Sequence, residues 1–239
     1  LIRSRLIGAR QAKGDVLVFL DSHVRVSEDW LTFLHRRLAL HHLKQTTPTE
    51  DKVCQAALSH TPYARLPAKF LLLSPAINEL SFFRLGGLDE GMQIWGGENI
   101  ELSLRTWQCG GRVEIVPCSR VAHLFRVQHP YRFPEGRQTT ITRNLKRVAK
   151  VWMQPADEIR MRDGLLVLPL ALFFASRPSA LSIGTGDLTG RENLKRDLQC
   201  RNFSWFLQSV YPELQMKAQS VDLFDAAVIA ARIANNRAP

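Results

Sequence analysis

The stretch Gly14-Asp15-Val16-Leu17-Val18-Phe19-Leu20-Asp21-Ser22-His23 decides the fold class. Val16 to Leu20 is apolar without alternation and rich in β-branched and aromatic residues, the pattern of a strand buried on both faces and therefore of a parallel sheet. Ahead of it, Ile2 to Lys13 mixes small and apolar residues with arginines, which suits a helix closed by Gly14-Asp15. Helix followed by buried strand reads as α/β. The strand ends in polar chemistry, where open α/β sheets place their ligands. In extended geometry Asp21 and His23 leave the same face while Ser22 points away, which puts a carboxylate oxygen and an imidazole nitrogen within reach of one divalent ion. The triplet by itself reads more readily as a strand-end turn followed by a surface histidine.

Further along the chain, Ser27 is the expected cap of a helix over Trp30 to Leu40, with Glu28 and Asp29 suited to its N-terminal dipole. From His41 to Leu73 no period emerges. His41-His42 lacks carboxylate or cysteine partners at ligand spacing, so this section reads as a polar surface connection. Asn99 to Cys109 is a predicted helix with Ile100, Leu104 and Trp107 on one face, ended by a left-handed cap at Gly110-Gly111. Arg112 to Pro117 alternates as a strand. Arg143 to Lys150, with Leu145, Val148, Val151 and Trp152 at helical spacing, predicts an amphipathic helix with a solvated basic face. Order returns at Gly186 to Arg191, in a helix over Glu192 to Cys200, and in the aromatic cluster of Asn202 to Pro212; the Ala-rich tail from Val221 suits one terminal helix.

The chain has 239 residues, 45% hydrophobic and 23% charged, enough for one α/β domain with a sizeable core and too apolar for disorder. Its net charge of +10 invites nucleic acid, but the basic residues are dispersed and no nucleic-acid motif accompanies them. Leu165 to Ala175, the longest apolar run, is about half of what a bilayer span requires. The cysteines at 54, 109, 118 and 200 fit no metal-binding pair spacing; they are either buried thiols or a secretory disulfide set, and composition does not choose.

A second stretch carries chemistry. In Trp95-Gly-Gly-Glu-Asn99 the paired glycines Gly96 and Gly97 permit close backbone approach, while Glu98 and Asn99 open a helix; a loop with a capping carboxamide is the plainer reading. His123 follows a strand-like segment and could be a core histidine or a ligand, and Arg126 could make a surface ion pair or grip phosphate oxygens.

Taken together, Asp21-Ser-His23, Ile94 to Gly111 and Val121-Ala-His-Leu-Phe-Arg126 resemble the catalytic domain of the polypeptide N-acetylgalactosaminyltransferases. The resemblance implies an α/β fold of the GT-A type, with a mixed sheet flanked by helices. It implies transfer of GalNAc from UDP-GalNAc to Ser/Thr hydroxyls of polypeptides with retention, in the Golgi lumen. It also implies Mn²⁺ held by Asp21, His23 and His123, an open-sided oxygen and imidazole set that suits this ion. Glu98 then resembles the carboxylate at the sugar and acceptor, with Trp95 and Asn99 beside it. Gly96, Gly97 and Arg126 fall at the donor, and His129 and Tyr131 on the loop that closes over it. A Cys109–Cys200 disulfide is implied, with Cys118 left unpaired because its counterpart's partner would lie upstream of Leu1. No nucleic acid is expected as a partner, and membrane attachment only through an anchor outside this chain.

The resemblance covers Leu1 to Met153, with a gap, and Gly186 to Leu214. The expected organisation is a partial catalytic domain over 1–152, a divergent connection over 153–185, the end of the catalytic region over 186–215 and a tail over 216–239 without a lectin domain. The family's nucleotide-binding strands and a Gly-Gly strand facing the sugar are not found here. The chain is therefore expected to be a fragment that transfers GalNAc poorly alone. The alternative is a non-catalytic secretory-pathway domain that keeps a metal- or peptide-binding remnant.

Overall fold

The computed structural model describes residues 1–43, 76–114, 116, 118–124, 131–153, 159–160, 166–167 and 169–212. The chain divides into two compact units, and each is described by itself. One comprises Leu1–Leu6, Leu85–Arg112 and Phe133–Pro239; the other comprises Ile7–Arg84 and Val113–Arg132. The helix α1 (Ile2–Gln11) contributes to both.

The second unit contains the strands β1 (Val16–Val18), β2 (Val24–Val26), β3 (Ala76–Asn78) and β4 (Val121–His123), and the helices α2 (Trp30–Leu43) and α3 (Glu79–Arg84). β1 pairs antiparallel with β3, Leu17 opposite Ile77, and β2 pairs antiparallel with β4, Val24 opposite His123. The parallel pairing expected for Val16 to Leu20 is not found among the described residues. Only Leu17 of the three β1 residues is buried, so the apolar run reflects one covered face plus Phe19, whose ring lies 5.3 Å from that of the buried Phe82. Ser27 does not cap α2 with its side chain; its hydroxyl donates to the Arg120 carbonyl at 3.2 Å. Arg112 to Glu114 lie outside any strand among the described residues.

The first unit is helical: α4 (Glu98–Gln108), α5 (Arg137–Trp152), α6 (Pro169–Ser176), a 3₁₀ turn at Pro178–Leu181, α7 (Thr189–Asp197) and α8 (Phe203–Ser209), with the two-residue strands β5 (Ile159–Arg160) and β6 (Leu166–Val167). Gly110 ends α4 at φ 88°, and Gly111 N–H donates to Thr106 O at 2.8 Å, a carbonyl the helix itself leaves unsatisfied. α4 is buried almost all round. Leu102 and Leu104 are covered, but so are Glu98, Glu101, Arg105 and Gln108, while Ile100, expected on the apolar face, is exposed. α5 buries Val148, Val151 and Trp152 as its spacing required, together with Ala149, while Leu145 is only half-buried.

The basic face expected to be solvated on α5 is partly internal. Lys146 donates to Ile183 O at 2.7 Å, and Arg147 donates to the carbonyls of Thr185 and Asp187 at 2.8 Å each. Both side chains are thus engaged with the chain's own backbone, and Arg147 with the Asp89 carboxylate as well. Cys109 and Cys200 are joined, their α-carbons 4.2 Å apart. Cys118 is disulfide-bonded as well, which overturns the expectation that it is left unpaired; its partner lies outside the described residues. No helix among the described residues is long and apolar enough to cross a membrane.

Candidate functional site

In the second unit a turn and a two-strand ladder gather three side chains. The chain leaves β1 at Val18, turns at Ser22-His23 and enters β2, which pairs with β4. The ladder continues one step past its ends, with Leu124 N–H donating to His23 O at 2.9 Å, so the two histidines are held side by side. Their rings meet edge to face at 4.4 Å, and His123 Nε2 lies 3.3 Å from Asp21 Oδ2. Asp21, His23 and His123 each offer one ligand atom within 4.8 Å of the others. They converge because the backbone turns at Ser22-His23, and not because alternate residues of an extended strand share a face.

The donor set is one carboxylate oxygen and two imidazole nitrogens. His23 Nδ1 is buried with no hydrogen-bond partner, an arrangement that costs free energy unless a ligand takes up the lone pair or the proton. Mixed oxygen and imidazole coordination with open positions suits a divalent first-row metal such as Mn²⁺. The residues present therefore fit such an ion. Arg126 and His129 lie outside the described residues, and Tyr131 is half-buried in the same unit.

In the first unit the glycine-rich stretch forms a turn into α4. Gly96 and Gly97 have φ of 98° and 92°, a region that L side chains rarely adopt. A Cβ on Gly96 would lie 3.0 Å from Ile141 Cγ1, and one on Gly97 3.3 Å from Asn144 Cβ, so the pair lets the backbone lie directly on α5. Glu98 is buried and anchored: Oε2 accepts from Gly96 N–H at 2.8 Å and Oε1 from Arg5 Nη1 at 3.3 Å. Each oxygen has a second lone pair beyond the bond it makes there. Asn99 is exposed, and the half-buried Trp95 ring carries the Arg137 guanidinium 5.7 Å from its centre.

Asn144 went unremarked in the sequence. Fully buried, it accepts from Gln93 N–H at 2.9 Å and donates from Nδ2 to Gln93 O at 2.7 Å and Gly96 O at 2.8 Å. It thus holds the backbone that presents Trp95 and Glu98. The available signal was an asparagine, a poor helix former, in the middle of a strongly periodic helix.

One turn further along α4 lies a charge cluster of a different kind. Arg105 is bidentate to Glu101 at 2.8 and 2.9 Å and also donates to the Leu85 and Gly87 carbonyls. Trp152 Nε1 donates to Glu101 Oε1 at 3.0 Å. Arg147 is bidentate to Asp89 at 2.8 Å, with Arg191 3.6 Å from the same carboxylate. Burial pushes the Asp89 carboxyl up, but the Arg147 hydrogen bonds, the Arg191 and Arg147 charges and the Gly91 N–H outweigh it, so its pKa is held below the ordinary carboxylate value.

Comparison with known proteins places the chain. Residues 74–130 match the family described as the N-terminal domain of galactosyltransferase. A solved structure, the crystal structure of GalNAc-T7 with UDP, GalNAc and Mn²⁺, superposes with a TM-score of 0.68 at 27% identity, covering 91% of this chain and 45% of that one. The chain is thus part of an α/β domain of the GT-A, nucleotide-diphospho-sugar transferase type. Polypeptide N-acetylgalactosaminyltransferase 14 of Homo sapiens is 36% identical over 252 residues, and polypeptide N-acetylgalactosaminyltransferase 16 of Mus musculus is 37% identical over 253. Each alignment takes in 92% of this chain and 43% of the relative. The chain belongs to the polypeptide N-acetylgalactosaminyltransferase family and spans less than half the length of the curated relatives it matches.

Proposed function

We propose that this chain supplies metal-binding and acceptor-side residues for transfer of GalNAc from UDP-GalNAc to Ser or Thr hydroxyls of polypeptides, with retention, in the Golgi lumen. The observation that carries this reading is the convergence of Asp21, His23 and His123 within 4.8 Å in a chain so similar to those enzymes. Asp21 Oδ, His23 and His123 would hold Mn²⁺, which when bound supplies positive charge against the departing diphosphate. Arg126 would add a guanidinium to the same oxygens, and His129 and Tyr131 would close over the donor. Glu98, fixed by Gly96 and Arg5, would orient a sugar or acceptor hydroxyl through its remaining lone pairs. Positioning of that kind accounts for roughly 7–11 kcal/mol of barrier lowering in well-oriented reactions.

Titration calorimetry of the full chain with Mn²⁺ tests the metal site, with binding expected in the parent and lost in His23→Ala. No binding in the parent would overturn the reading. Mass spectrometry of a Ser/Thr-rich peptide incubated with UDP-GalNAc and Mn²⁺ then tests the chemistry. Product that disappears in Glu98→Gln supports transfer, whereas metal binding without any product supports the non-catalytic alternative.

A further inference from the structure

Asn202-Phe203-Ser204 is the one Asn-x-Ser/Thr sequence in the chain, with no proline in the middle. Asn202 stands at the N-terminal end of α8 in extended backbone, φ −76° and ψ 171°, and is only partly buried. Its Oδ1 accepts from Trp205 N–H at 2.8 Å, which caps the helix. Oδ1 alone does that work. A substituent on Nδ2 would leave the capping oxygen in place and keep one amide N–H.

Ser204 supplies the second, independent observation. It is 7% exposed, and its Oγ is buried with no hydrogen-bond partner. Burying a hydroxyl without a partner is unfavourable, and alanine would fill this position on α8 at no such cost. Phe203 and Phe206 beside it are buried and stacked at 5.6 Å, so α8 is otherwise built from groups that suit its surroundings. The folded protein does not use the Ser204 hydroxyl. A reaction that reads the chain before it folds would.

We propose that Asn202 is an N-glycosylation acceptor, modified on the extended chain before α8 packs. Nδ2 would form a bond to C1 of the first sugar of a lipid-diphosphate-linked oligosaccharide as the bond from C1 to the diphosphate oxygen breaks. One amide proton passes to base and the lipid diphosphate departs, with no change of oxidation state. The sugar is then carried at the helix end, where Asn202 reaches the surface, while Ser204 goes into the interior with its hydroxyl left over. This rests on the lumenal setting of the proposed function. The Cys109–Cys200 disulfide two residues upstream fits the same oxidising compartment.

The test uses the full chain behind a signal peptide, expressed in animal cells, with a C-terminal tag carrying an acceptor tripeptide of its own to report entry into the lumen. Intact mass before and after peptide-N-glycosidase should show two glycans in the parent and in Ser204→Thr, and one in Asn202→Gln and Ser204→Ala. A parent that carries the tag glycan alone overturns the proposal. Because the readout is made on the chain whether or not it folds, misfolding of a variant does not obscure it. Because it does not use transfer, failure of the GalNAc chemistry leaves it unchanged.

Discussion

The two units each gather acidic and basic side chains, and they use them differently. In the helical unit, the hydrogen bonds of Asp89, Glu101, Arg105 and Arg147 run to one another, to backbone groups and to Trp152. Arg191 adds charge to the cluster, 3.6 Å from Asp89 and 3.9 Å from Glu101, and its buried Nη1 has no hydrogen-bond partner. In the second unit, Asp21, His23 and His123 come together with a buried imidazole nitrogen that has no partner. Charge density alone therefore does not mark a site. A cluster whose hydrogen bonds close internally holds elements in place, and one with capacity to spare is shaped for a ligand.

The largest effect expected from this contrast is on stability in the helical unit. Asp89→Ala would leave Arg147 buried without its carboxylate, and breaking such a pair costs about 3–5 kcal/mol. Urea unfolding of the disulfide-intact protein measures it. The same substitution size at His23 should cost far less. A His23→Ala midpoint as low as that of Asp89→Ala would show that the triad is architecture too.

Next in size is Asn144→Ala. It removes three hydrogen bonds of 2.9 Å or less to the part-buried stretch from Gln93 to Gly96, worth about 0.5–1.5 kcal/mol apiece. Amide hydrogen exchange should quicken at Gln93 to Gly97 first, ahead of α4. Uniform quickening over the whole unit would instead place Asn144 among ordinary core residues.

Such effects bear on what the sequence could disclose. The end of α4 was legible because Gly110 meets a local need, a positive φ, that one residue type answers. The periodic stripe of Val148, Val151 and Trp152 was legible for a similar reason, since burial repeats with the helical turn. Pairing direction was not: Val16 to Leu20 carries the composition of a doubly buried strand, yet its partner is the antiparallel β3, a choice made by residues some sixty positions away. The burial of Arg147 and Lys146 was hidden as well. Nothing in Arg143 to Lys150 says that Asp89 and the carbonyls of Ile183, Thr185 and Asp187 will come to meet it. At the candidate metal centre, the residues could be named from their motif, but the backbone turn that brings them together could not.

Acid should act on the helical unit through Asp89. Its folded pKa lies below that of the unfolded chain, so its contribution to stability is fully present above the unfolded value of about 3.9 and is lost as pH falls through the folded one. Below pH 4 the parent should lose stability progressively. Asp89→Asn, already lacking the charge, should show a flatter acid limb. Parallel limbs for the two proteins would mean that other carboxylates carry the acid response.

The smallest effect on apo stability is expected at the triad, where the contrast predicts that a substitution changes ligand response and little else. His123 lies in a three-residue strand with its side chain 11% exposed, and its ring contacts include His23 and the Asp21 carboxylate. His123→Ala removes those contacts but leaves the β2–β4 ladder, whose hydrogen bonds are all backbone, so the metal-free unfolding midpoint should move by about 1 kcal/mol or less. Added Mn²⁺ separates the two roles. A ligand that binds the folded chain alone stabilises it by about 2.7 kcal/mol at a hundredfold excess over its dissociation constant. The parent's melting temperature should accordingly climb with Mn²⁺ while that of His123→Ala stays level. If His123→Ala instead rises with the parent, the ion is held elsewhere and the distinction between the two clusters fails at its functional end.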